Sequence, residues 1–378
     1  MDLESWVAEH WDPELSIRQW RTLLVDSGLA LAAADLAALG VPGLPDGVGV
    51  WLVIPVLREH GSEYLRDRFI RPTLTGEITW CQLFSEPGAG SDLAGLSTRA
   101  VRDGADWLVT GQKVWSTGAK TADYGLLLAR TDAGVPKHRG ITAFVLPMRQ
   151  PSVDVRPLRQ MNGHSSFNEV FFDGASVPDA NVIGEVGGGW TVALTTLAHE
   201  RRLAASKPTA PPSASGRAWR EAIDERTAAA EPHKWYPQRA GRPDLVVPQA
   251  RGCGKDGDPL VRQAIARLTE TTMSARWTAN RFRGRPAGPV GSIGKLASSD
   301  IARQSARVHG SIAGAAGMLA GPDAPLGGII AEVLISVPGI SIAGGTDEIQ
   351  HTIIGERMLG LPREPDVSKD LPFRDVPR

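Results

Sequence analysis

Two stretches, residues 81–92 (CQLFSEPGAGSD) and 111–119 (GQKVWSTGA), combine hydroxyls, small residues and one aromatic ring in a pattern suited to ligand chemistry. The first reads as a strand running into a Pro-Gly-Ala-Gly turn, whose small residues let backbone N–H groups approach a ligand closely. The second reads as a strand with Trp115 and Thr117 two residues apart, and so on one face. An aromatic wall beside a hydroxyl donor suits a flat, redox-active heterocycle such as a flavin. Either piece alone is weak evidence, because a lone tryptophan is more often core and a Gly-Ser turn usually only a turn. The pair at this spacing is far more specific.

The chain that must position these residues has 378 residues, enough for two or three domains with substantial cores. Its 41 basic residues nearly balance 42 acidic ones, so no global field favours nucleic acid or a membrane surface. The first residues, MDLESW, lack the basic start and apolar core of a signal peptide. Asp35 interrupts the best apolar stretch, 29–41, which argues against a spanning helix. Cys81 and Cys253 are the two cysteines, giving no disulfide framework and no metal-ligand cluster. A soluble, reducing, cytoplasmic setting is the expectation.

Apolar periodicity divides the chain. Residues 1–79 are helical in pattern. From 80 to about 184 the texture is short alternating strands separated by turns, with strands expected at 107–110, 124–130, 141–146 and 168–173. From 185 to 365 a helical period returns, with helices expected at 219–230, 259–284, 292–320, 326–336 and 346–358. Residues 205–258 interrupt it with Pro- and Gly-rich connection, and 366–378 form a tail. The expected class is α+β: a shortened helical N-terminal domain, a central antiparallel β domain and a C-terminal helical bundle. Helical, then β, then helical is unlike alternating βαβ units, which argues against a dinucleotide-binding Rossmann fold despite the Gly-Ala-Gly and Gly-Gly-Gly clusters.

Two more stretches join the first pair: residues 153–161 with 167–173, and GGTDEIQ at 344–350 continuing to Pro362. The four motifs, in this order, resemble the acyl-CoA dehydrogenase family over roughly 80–204 and 259–362. The resemblance implies FAD as cofactor and an acyl-CoA thioester as substrate. It implies an electron-transferring flavoprotein as acceptor, and a homo-oligomer (dimer or tetramer) or hetero-oligomer. Gln82, Phe84, Ser85, Gly90 and Ser91 then correspond to the strand and turn beside flavin and coenzyme A. Within it, Ser85 matches the position whose hydroxyl meets the flavin ring, and Ser91 the one near the pantetheine. Trp115, Ser116 and Thr117 match the strand flanking the flavin, with Thr117 facing its N5. Thr346 and Glu348 match positions near the dinucleotide end of FAD, and Gln263 a glutamine that reaches a neighbouring subunit's flavin.

The reaction implied removes an α-proton from carbon beside a thioester while a hydride leaves the β-carbon for the flavin. A carboxylate must sit on the other side of the acyl chain, and its pKa should rise as substrate displaces water. Many family members carry that base just before the Gly-Thr of the last motif, where this chain has Gly344. A minority carry it in a Leu-x-x-Glu-Arg pattern after the β domain, and here residues 197–201 read LAHER. Glu200 is therefore the expected base, with Arg201 fixing the helix or the substrate end. The backbone N–H groups at Gly344 and Gly345 remain as donors to a thioester carbonyl. The bland alternative for Glu200 is a solvated helix residue paired with a cation. His199 is expected to be packing or rim, since adjacent helix positions diverge by about 100°, and Glu86 to hold its turn.

The chain departs from the family elsewhere. The region before Gln82 is short, so helices that cover the acyl tail are expected to be missing or supplied by another subunit. Residues 205–258 stand where the family has an Arg-x-x-Phe element, and Arg251 in RGCG lacks the aromatic partner. The run Arg276, Arg281, Arg283, Arg285 suits phosphates or, more commonly, a solvated face. Two other readings stand beside the dehydrogenase: a flavin monooxygenase on the same fold, and a non-catalytic or half-site subunit of a mixed tetramer.

Overall fold

The computed structural model describes residues 2–30, 36, 38–205, 215–282 and 289–377, with side chains described up to Glu200 and again from 215. The chain forms two compact units. The first comprises residues 1–158, 165–232 and 366–378; the second comprises 159–164 and 233–365.

The first unit opens with helices α1 (Leu3–His10) and α2 (Ile17–Asp26). Asp2 caps the first, and Ser16 with Gln19 forms a capping box on the second. A π-helical turn, Gly49–Val53, leads into α3 (Ile54–His60) and α4 (Glu63–Thr75). The eight strands are β1 (Trp80–Leu83), β2 (Arg99–Asp103), β3 (Asp106–Lys113), β4 (Tyr124–Arg130), β5 (Ile141–Pro147), β6 (Val153–Leu158), β7 (Phe167–Pro178) and β8 (Val182–Ile183). They make one sheet in the order β6-β7-β3-β2-β4-β5-β8, with β1 also paired to β4. Most pairs are antiparallel as expected, but β1 runs parallel to β4, Trp80 opposite Tyr124, so the sheet is mixed.

Period-2 alternation in β4 and β5 feeds two cores. Leu126, Leu128, Ala143 and Val145 join a cluster with Val53, Leu57 and Phe69, whereas Leu127, Ala129, Phe144 and Leu146 join Val109, Val170 and Phe172. Covered on both faces, these two strands read as continuous apolar runs. Helix α5 (Gly189–Ala205) packs on the first of these cores through Val192, Ala193 and Leu197. Its entry explains the triple glycine: a Cβ at Gly189 would lie 2.6 Å from the Thr142 carbonyl carbon and 2.7 Å from Ala143 N. Gly189 serves this helix–strand contact, while Gly187 holds a left-handed φ of 84°.

The apparent insertion contributes structure to the N-terminal helices. Helix α6 (Arg217–Ala230) buries Trp219 and Ala222 in a cluster with Trp6, Trp20, Leu24 and Leu36. Trp219 Nε1 donates to Gly40 O at 3.0 Å, Ile17 N donates to Glu221, and Arg21 pairs with Glu225 at 2.7 Å. A helix of the same chain thus completes the short N-terminal core. Of the break expected at 208–216, residues 208–214 lie outside the described residues and Gly216 is the N-cap of α6.

The second unit is helical. It contains α7 (Tyr236–Arg239), α8 (Val246–Gly252), α9 (Pro259–Arg281), α10 (Val290–Ala313), α11 (Ile329–Ser336) and α12 (Asp347–Arg357). The helices expected at 292–320 and 326–336 are shorter, because 3-10 turns occupy Gly314–Met318 and Pro325–Gly328. No helix among the described residues is long and apolar enough to cross a membrane.

Candidate active site

The two opening motifs are joined in space. Val114 N donates to Ser85 O at 2.9 Å, and Glu86 and Ala89 exchange backbone hydrogen bonds of 3.1 and 3.0 Å that close the Pro87-Gly88 turn. The Glu86 carboxylate accepts from Ser97 N (2.7 Å), Ser97 Oγ (2.9 Å), Thr98 N (2.9 Å) and Lys113 Nζ (2.8 Å). Lys113 Nζ also donates to Phe84 O at 2.9 Å. Burial alone would raise the Glu86 pKa, but the Lys113 ammonium and the N–H donors hold the carboxyl down to about 2. Glu86 therefore holds its turn, as expected. Sequence reasoning misses Lys113 although it lies inside the second motif; the available signal is a lysine ending an apolar strand with an acid in the partner motif.

The second motif differs from expectation. β3 ends at Lys113, and Trp115 takes a left-handed backbone with φ 64°, so Trp115 and Thr117 are not successive same-face residues of a strand. Asn168 accounts for the bend. Its backbone exchanges two 3.1 Å bonds with Ser116, and its Nδ2 donates to Ser116 O at 2.8 Å. Trp115 turns outward, 55% exposed, and meets Phe167 edge-on at 5.6 Å. Thr117 is half-buried. Ser116 Oγ is buried without a hydrogen-bond partner among the described residues.

The remaining residues fall into two groups. Gln82 is half-buried on β1, Phe84 is core at 4% exposure, Ser85 is half-buried, and Gly90 and Ser91 are exposed on the turn. Glu200 belongs to the same unit, half-buried on α5 and three residues beyond the core-packed Leu197, a spacing that places both on one side of the helix. His199 is half-buried beside it, and the Arg201 side chain lies outside what is described.

Gln263, Gly344, Gly345, Thr346 and Glu348 belong to the second unit. Gln263 is exposed on the first turns of α9. Thr346 is the N-cap of α12, accepting from Ile349 N at 3.2 Å, and Glu348 is exposed in the first turn. Gly344 and Gly345 have φ of 66° and 82°, and Gln350 Nε2 donates to both carbonyls at 3.2 Å. A Cβ at Gly344 would meet nothing within 4 Å, so backbone conformation rather than space favours glycine there. Asp347 binds Lys295 at 2.7 Å and also Arg303; burial works against its charge, yet these cations hold the carboxyl far below the usual range. Arg251 and Cys253 are exposed at the end of α8, and Arg276 and Arg281 are exposed on α9; Arg283 and Arg285 lie outside the described residues.

Comparison with known proteins matches residues 81–175 to the acyl-CoA dehydrogenase middle domain and 256–359 to the acyl-CoA dehydrogenase C-terminal domain. Acyl-CoA dehydrogenase FadE34 of Mycobacterium tuberculosis is 36% identical over 341 residues; the match covers 90% of this chain but 42% of FadE34, so this chain spans less than half of that relative. Acyl-CoA dehydrogenase IpdE1 of the same organism is 32% identical over 333 residues, covering 87% of this chain and 79% of the relative. Among solved structures, one described as "Tcur3481-Tcur3483 steroid ACAD" superposes with a TM-score of 0.67 at 26% identity, covering 96% of this chain and 93% of the other.

These matches and the fold define the class, an α+β protein of acyl-CoA dehydrogenase architecture. The chain belongs to the acyl-CoA dehydrogenase family. FAD is the family's cofactor, and residues here fit it: the orphaned Ser116 hydroxyl, a buried polar atom beside Thr117, suits a partner with hydrogen-bonding ring edges.

Proposed function

We propose that this chain catalyses α,β-dehydrogenation of an acyl-CoA or carrier-bound thioester, with Glu200 as the base. The observation that carries this reading is the location of Glu200. It lies half-buried on a helix anchored by Val192, Ala193 and Leu197 in the same core as Phe84 and Ala89, whereas position 344 has no side chain to accept a proton. Ser85, Ser116 and Thr117 would orient the flavin, and Ser91 would receive the thioester. Bound FAD supplies the two-electron acceptor. Glu200 takes the α-proton at a carboxylate oxygen, and desolvation by the acyl chain raises its affinity for that proton. Electrons would pass onward to an electron-transferring flavoprotein, with the chain assembled as a dimer or tetramer in the cytoplasm.

The steroid named for the solved relative puts bulky, ring-bearing acyl groups on the substrate panel beside straight and branched chains. Anaerobic addition of the panel should bleach the flavin absorbance of the purified protein, and Glu200→Gln should abolish bleaching while retaining FAD. Equal bleaching in both proteins rejects Glu200 as base.

A second reading, a half-site subunit of a mixed assembly, is favoured by one observation: the solved relative is described by a pair of names, Tcur3481-Tcur3483. A colourless chain that acquires FAD only with a partner chain would support it. A flavin that consumes oxygen with a reduced cofactor, and is not reduced by thioesters, would point instead to the monooxygenase alternative.

A further inference from the structure

The segment 366–377 returns to the first unit and is tied to the loop between β4 and β5. Phe373 N donates to Val135 O at 2.9 Å, Arg374 N to Ala133 O at 3.1 Å, and Pro372 forms a bridge with Pro136. The Phe373 ring lies 3.5 Å from the guanidinium carbon of Arg130, which is buried at 4% exposure. Arg130 spends its donors on three backbone carbonyls: Ala94 O at 2.6 Å, Leu96 O at 3.0 Å and Lys137 O at 3.0 Å. Two of these acceptors come directly after the Gly90-Ser91 turn, and the third belongs to the β4–β5 loop. From that loop Lys137 Nζ reaches both carboxylate oxygens of Asp92, at 3.0 and 2.9 Å.

We infer that Phe373 is a positioning residue for the turn at 88–92: by covering the Arg130 guanidinium it holds the β4–β5 loop and the 94–96 segment together, and Lys137 passes that order to Asp92. A buried guanidinium satisfied by carbonyl dipoles needs its faces shielded from water, and an aromatic face supplies that shield with a favourable charge–quadrupole contact. The Glu86–Ala89 backbone bonds and buried Ala89 fix the start of the turn. Gly90, Ser91 and Asp92 are exposed, and Gly88 and Gly90 have open space around them, so the far side of the turn takes its order from the Lys137–Asp92 pair. The functional consequence rests on the reading of Ser91 as a thioester contact.

Hydrogen exchange on the full chain tests the mechanical claim, with calorimetric titration of coenzyme A as a separate readout. Phe373→Ala should speed exchange at least severalfold in peptides covering 88–96 and 132–140, leave β6 and β7 unchanged, and weaken coenzyme A; Phe373→Trp should restore both. Lys137→Met should speed exchange at 88–96 alone. If Phe373→Ala accelerates 132–140 but not 88–96, or if Lys137→Met leaves 88–96 unchanged, the inference is overturned; the second variant decides if the first does not fold. Faster exchange with unchanged coenzyme A affinity would uphold the positioning and reject Ser91 as a thioester contact.

Discussion

Lys113 Nζ lies 2.8 Å from a Glu86 carboxylate oxygen, with the lysine side chain fully buried and the glutamate side chain 5% exposed. This pair locks the two opening motifs together, since the same ammonium holds Phe84 O and the same carboxylate holds the amides of Ser97 and Thr98. Glu86→Gln leaves a buried ammonium without its counter-charge and should cost about 3–5 kcal/mol. Lys113→Met should cost less, because Glu86 keeps three other donors. The double variant should cost less than the sum of the two, and denaturant titration of all four proteins measures that coupling. The pH dependence has a definite sign. The Glu86 pKa is depressed from 4.5 to about 2 in the folded state, so its contribution is present above pH 4.5 and lost as pH falls toward 2. About 3 kcal/mol should disappear across that window, and Glu86→Gln should flatten the acid limb of a stability–pH curve.

The insertion helix yields a contrast between two tryptophans. Trp219 on α6 is 4% exposed in the N-terminal core, whereas Trp277 on α9 is 57% exposed. Trp219→Ala should destabilise the chain by about 3–5 kcal/mol, as large-to-small core changes do. Trp277→Ala should change the thermal midpoint of the isolated chain little. A loss below about 1 kcal/mol for Trp219→Ala would mean that α6 does not complete the N-terminal core.

Much of this was legible in the sequence because the relevant signals are local. Strand 124–130 was readable from its apolar run, and helices 219–230 and 346–358 from their period. The two opening motifs stand out by residue type and spacing, and Val114 N with Ser85 O joins them. What escaped depended on distant partners. Residues 115–117 read as a strand, but Asn168, fifty residues on, captures the Ser116 backbone and turns Trp115 outward. The parallel pairing of β1 with β4 carries no local signature. Residues 205–258 read as an interruption because the apolar face of α6 belongs to helices nearly two hundred residues earlier. Lys113 reads as an ordinary strand lysine until Glu86 is brought to it.

The Ser116 hydroxyl gives a test of the cofactor site that separates binding from folding. Its oxygen is buried with no partner among the described residues, an arrangement that costs stability in the free chain. Ser116→Ala removes that cost, so the flavin-free variant should be as stable as the parent or slightly more so. If the hydroxyl instead serves the flavin, the same change deletes one hydrogen bond from the complex, worth about 0.5–1.5 kcal/mol, and should weaken FAD roughly 2- to 10-fold. Thermal unfolding of the flavin-free protein and FAD titration by fluorescence quenching measure the two quantities independently. Loss of stability without loss of FAD affinity would assign Ser116 to the architecture of the β3–β7 bend and remove it from the site.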